Sequence, residues 1–147
     1  MWKRLLKNER GLTLIELLAV IVILGIVAAI AIPAIGGLIN KSKDDAKVAE
    51  GIQIINAAKL YMTANNPSQF PVTLTKNQLD PYLDNVKDED NDYEVEVNND
   101  GGNGKYSYVL KNHDANNVLN DEELSEEELQ NKRSNGSTDN TNNGEES

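Results

Sequence analysis

The chain has 147 residues, a formal net charge of −10 and no cysteine, which excludes disulfides, thiolate metal sites and thiol nucleophiles. Its length suits one domain with extensions. The acidic balance excludes nonspecific nucleic-acid binding by the body of the chain, because phosphate contacts need Lys and Arg.

The mean hydropathy of −0.52 describes no real part of the molecule: about the first forty residues are strongly apolar and the last thirty almost free of apolar side chains. The chain opens with a basic leader, residues 1–11. Lys3, Arg4, Lys7 and Arg10 against Glu9 give it a net charge of +3, leaving −13 for everything after it. An apolar stretch follows over residues 17–39, 23 residues with Gly25 and Pro33 inside it. As a helix it is ~34 Å long, enough for a hydrocarbon core of ~30 Å. Basic residues before the run and mixed charges after it put the N-terminus in the cytoplasm and the remainder outside.

Glu16 stands at the start of this run, where a carboxylate is costly; at the centre of a bilayer helix the cost is roughly 2.5–3.5 kcal/mol. A plain single-pass anchor accounts for the run but not for Glu16. A secretory signal peptide is suggested by Ala29-Ile30-Ala31. The apolar run, however, passes through that site to Ile39 and would place Glu16 inside the signal's membrane segment.

The string Gly11-Leu12-Thr13-Leu14-Ile15-Glu16, between a basic leader and a long apolar run, resembles the class III signal of type IV pilins and pseudopilins. The resemblance covers about 30 of the 147 residues. It implies cleavage between Gly11 and Leu12 by a membrane aspartate peptidase, N-methylation of Leu12, and a role for Glu16 in filament assembly. Gly25 and Pro33 fall where the family has helix-softening residues, and Leu12 stands where Phe or Met is commoner. The implied partners are further copies in a helical homopolymer, a prepilin peptidase, an assembly platform protein and its ATPase, minor pilins, and the membrane before assembly. DNA enters only indirectly. A carboxylate in low dielectric is retained when an opposite charge meets it, and cleavage at Gly11 creates such a charge, the α-amine of Leu12 on a neighbouring subunit.

Beyond the membrane-length run the period changes. Val48, Ile52, Ile55, Ala58 and Met62 recur at three- and four-residue spacing, widened by Ala49, Ala57 and Tyr61, and predict an amphipathic helix over residues 40–63. Glu50 fits solvent exposure and Gly51 close packing. Asn65-Asn66-Pro67 ends the helix. Pro33 and the glycines at 25, 36 and 37 predict a kink or local melting between Gly25 and Gly37.

Residues 64–119 read as a small soluble head. Residues 70–74 are extended, Thr75 caps a short turn, and Tyr93, Val95 and Val97 face inward on an alternating strand. Residues 98–104 form an Asn- and Gly-rich turn, and residues 105–111 return as the second strand of a hairpin packed on the helix stripe. Asp88, Asp90 and Asp92 alternate like the first half of a calcium loop, but Tyr93 replaces the required Gly, so a solvated acidic turn competes with a calcium site. His113 reads as a surface histidine in a polar loop. Residues 120–147, with nine carboxylates and two basic residues, read as an acidic, largely disordered tail carrying at most a short helix over residues 121–131.

The expected fold is α+β: a long N-terminal helix, membrane-spanning over residues 12–39 and amphipathic beyond, packed on a small antiparallel head. No nucleophile–base pair or phosphate loop is present, so an enzyme is not expected, and no cofactor is expected apart from the calcium candidate. The expected role is a structural filament subunit on the cell surface, in competence and DNA uptake. Adhesion, motility, secretion or a single-pass anchor displaying a small binding head remain as alternatives.

Overall fold

A computed structural model describes residues 9–84, 86, 92–102 and 104–138, with side chains between residues 13 and 135. The chain divides into two units, Met1–Lys41 and Ser42–Ser147. Helix α1 (Glu9–Asn65) contributes to both, and Pro33 lies inside it. It is helical at every described position, so it does not melt between Gly25 and Gly37. Pro33 removes one backbone hydrogen bond, which a helix of this length tolerates. The helix stops at Asn66, whose φ of 41° is left-handed and whose N–H donates to the Met62 carbonyl at 2.9 Å, a cap asparagine supplies more readily than other side chains.

In the first unit the large apolar side chains from Leu14 to Ile39 are 47 to 72 % exposed. That exposure surrounds the helix, unlike the one-sided stripe of a surface helix in a soluble protein.

The second unit is an α+β head. Its strands β1 (Val72–Thr75), β2 (Glu94–Asn99), β3 (Tyr106–Lys111) and β4 (Glu123–Ser125) form one antiparallel sheet in chain order. Helices α2 (Lys76–Leu79), α3 (Asp114–Leu119) and α4 (Glu126–Thr138) lie between or after them, with a 3-10 turn at Asp80–Tyr82. Register sets the core: Leu74, Val95, Leu110 and Leu124 stand opposite one another in a single row across all four strands, and each is essentially fully buried. The period of two puts these side chains on one face. Val48, Ile52, Ile55, Ala58 and Met62 of α1 join them, together with Ile54, which the three- and four-residue spacing does not single out.

At Gly51 α1 approaches the head closely. A Cβ there would sit 3.0 Å from Leu110 Cδ2 and 3.2 Å from Leu129 Cδ2, so a bare backbone is what lets the helix lie this near the sheet. Glu50, expected in solvent, is half-buried; one carboxylate oxygen is enclosed, 3.9 Å from Lys47 Nζ.

Three parts of the head depart from the sequence reading. The hairpin is the centre of a four-stranded sheet, as a lone hairpin is only marginally stable. His113 is not a surface residue but 2 % exposed. It caps α3, its Nδ1 accepting the Ala115 N–H at 3.1 Å, and its ring meets Tyr93 edge-on at 6.1 Å. In the acidic segment after residue 120, β4 and α4 are ordered elements because Leu124 and Leu129 reach the core. Residues 139–147 lie outside the described residues.

Asn116 ties the new pieces together. Its Nδ2 donates to the carbonyls of Leu110 (3.2 Å), Asp121 (3.0 Å) and Glu122 (3.0 Å), while its Oδ1 accepts the His113 N–H at 3.1 Å. One buried amide thus joins β3, the start of α3 and the approach to β4, its two N–H hydrogens shared among three carbonyls.

Surface carboxylates on the head are held ionised by neighbours. Lys76 and, more weakly, Tyr93 lower the Asp80 pKa. Lys111 and Asn98 lower that of Glu96, and the Ser125 hydroxyl and N–H lower that of Glu128. Lys111, bridged to Glu123 at 2.7 Å and Glu96 at 2.9 Å, is raised in turn. Depressed carboxylate pKa values give stability that is present above the unfolded values, about 3.9 for Asp and 4.3 for Glu. It is lost as pH falls through the lower folded values. Exposed pairs contribute about 0–1 kcal/mol each, so the melting temperature of the full chain in detergent, followed by near-ultraviolet circular dichroism, should fall by several degrees between pH 6 and pH 3. A flat profile across that interval would contradict this account of the three carboxylates.

Candidate functional site

The candidate site is the N-terminal part of α1. Gly11 and Leu12 are in the helix, although their side chains lie outside those described. Glu16 is one turn beyond Leu12, and residues four apart share a helix face. Its side chain is exposed, between Leu14, Ile15, Leu17 and Leu18, each more than half exposed. Among the described residues Glu16 has no ion-pair partner. Among the described residues the helix therefore presents a carboxylate in a continuous apolar surface without a cation beside it. Gly25 has open space around its Cα, and the helix passes through both Gly25 and Pro33. One helix of the described residues is long and apolar enough to cross a membrane, and its most apolar window is wholly unburied.

Of the calcium candidate only Asp92 falls among the described residues. Asp88 and Asp90 lie outside them. Asp92 is exposed and borders a cleft of about 550 Å³ with Glu94, Lys111, His113, Asn116 and Asp121. Among the described residues no three His, Cys, Asp or Glu side chains are grouped to hold a metal ion. Sequence reasoning missed this cleft because its walls come from α3 and the approach to β4.

A bare apolar helix long enough to cross a membrane, a glutamate near its start and a small α+β head are the features to set beside known proteins. Residues 6–32 match the prokaryotic N-terminal methylation motif. The chain is 34 % identical over 67 residues to the type II secretion system core protein G of Aeromonas hydrophila, covering 46 % of each chain. It is 36 % identical over 67 residues to the core protein G of Dickeya chrysanthemi, covering 46 % of this chain and 42 % of that one. It is 40 % identical over 57 residues to the type IV major fimbrial protein FimA of Dichelobacter nodosus, covering 39 % and 33 %. The chain thus spans less than half the length of these relatives. No solved structure matches it. The chain is thus similar, over less than half of its length, to proteins named as type II secretion core proteins and as a type IV fimbrial protein, and residues 6–32 carry the N-terminal methylation motif.

Proposed function

We propose that this chain is a structural subunit of a type IV pilus or pseudopilus. It is cleaved after Gly11, N-methylated at Leu12 and polymerised through residues 12–39, with Glu16 paired to the Leu12 amine of a neighbouring copy. The observation that carries this reading is Glu16, an exposed carboxylate in an all-round apolar helix surface, four residues after the matched motif's Leu12. Before cleavage the neighbour has no amine at Leu12, so the precursor stays in the membrane as a monomer with its N-terminus cytoplasmic and its head outside. Gly25 and Pro33 are the positions where α1 loosens in the polymer. A prepilin peptidase, a platform protein, an assembly ATPase and minor pilins complete the machinery.

For the polymer's purpose we infer DNA uptake, supported by the short cysteine-free head, with the DNA contact made by another subunit because this body carries −13. Protein secretion is a second reading, favoured by relatives named as secretion-system core proteins. Deleting the gene separates them. Loss of transformation with intact secretion supports uptake; loss of secretion with intact transformation overturns it in favour of the second reading.

A further inference from the structure

Helix α4 is held to the head through few contacts. Over its described side chains only Leu129 is buried, Glu126 is half-buried, and residues 127, 128 and 130–135 are exposed. Leu129 fills the slot left by the missing side chain of Gly51. Lys59 of α1 bridges to Glu126 at 2.5 Å. The start of the helix is closed by a capping box, in which Glu128 accepts the Ser125 N–H at 2.8 Å and the Glu128 N–H donates to Ser125 Oγ at 3.3 Å. On either side the packing is open. A groove of about 400 Å³ lies between α4 and α1, lined by Ile52, Asn56, Gln130 and Arg133. Another of about 430 Å³ lies between α4 and β3, lined by Tyr106, Tyr108, Glu127 and Asn131.

We infer that α4 is a strap that detaches from the folded head as a unit, with the Leu129–Gly51 contact and the Lys59–Glu126 bridge as its two latches. The four-stranded sheet does not depend on it: the buried row Leu74, Val95, Leu110 and Leu124 closes on α1 through β4, one residue before α4 begins. Elements with few buried apolar contacts open locally at free energies well below global unfolding. Opening of this strap uncovers the apolar slot formed by Gly51, Leu110 and Ala115.

Hydrogen exchange on the full chain in detergent micelles tests this. Amides of α4 should be protected relative to an unstructured peptide, yet exchange at least about 100-fold faster than those of Val95 and Leu110. Lys59→Ala should speed α4 exchange about 2- to 5-fold. Leu129→Ala, which removes the other latch, should speed it further, both variants leaving β2 and β3 at wild-type rates. Equal exchange of α4 and the sheet overturns the strap, because α4 then opens only with the head. Unprotected α4 amides overturn it as well, because the helix is then not latched. Acceleration of β2 and β3 by both variants, in step with α4, overturns it too, because the latches then hold the whole head.

Discussion

Glu16→Ala should abolish filaments while leaving membrane insertion and cleavage after Gly11 intact. Removing the carboxylate relieves a cost that reaches roughly 2.5–3.5 kcal/mol only at a bilayer helix centre and is smaller at this end of the run, so insertion is not impaired. On the proposed pairing, what is lost is the counter-charge for the Leu12 amine of the neighbouring copy. Stripping one partner from a buried ion pair costs about 3–5 kcal/mol, equivalent to a hundredfold or more in association. In a polymer that penalty recurs at every added subunit. Immunoblots of membranes should show processed protein at wild-type levels, and electron microscopy of sheared surface material should show no fibres. Glu16→Gln, nearly the same shape without the charge, should behave like the alanine variant. Filaments from the glutamine variant would show that shape rather than charge matters at this position.

Asn116→Ala should be the most damaging polar substitution in the head, lowering its stability by about 2–4 kcal/mol. The amide serves three carbonyls and one N–H, and the Leu110 carbonyl lies at the centre of the sheet. A buried acceptor left without its donor costs about 1–3 kcal/mol, while the Asp121 and Glu122 carbonyls are close enough to the surface to recruit water. The α3 cap at His113 loosens at the same time. Urea denaturation of the full chain in detergent should show a lowered midpoint with an unchanged slope. Asn117→Ala, one residue along on the exposed side, should stay within about 0.5 kcal/mol of wild type.

The contrast between Asn116 and Asn117 also shows what the sequence conceals. Adjacent asparagines look alike until the sheet brings Leu110, Asp121 and Glu122 around one of them. His113 is hidden for the same reason. A polar neighbourhood suggests solvent, but here the polarity is that of a helix cap folded against Tyr93. Beyond residue 120, composition points to disorder, yet two leucines five residues apart outweigh nine carboxylates because the carboxylates need only face water. Ser125 and Glu128 carry the spacing of a capping box, a signal for α4 that overall acidity masks. By contrast, the α1 stripe and the alternation of Tyr93, Val95 and Val97 are legible, because each repeats a single geometric period over several residues. The apolar half of α1 is legible for another reason. A 23-residue apolar run led by a glutamate is improbable as packing in a soluble core, and its exposure around α1 is what that pattern requires.

The link between cleavage and polymerisation is tested most directly by the N-terminus of the subunit in sheared surface filaments. Mass spectrometry should find a mature chain beginning at Leu12 and carrying one methyl group on its α-amine, with the leader of residues 1–11 absent. Filaments built of chains that still begin at Met1 would contradict the account, because no Leu12 amine would then exist for Glu16 to meet.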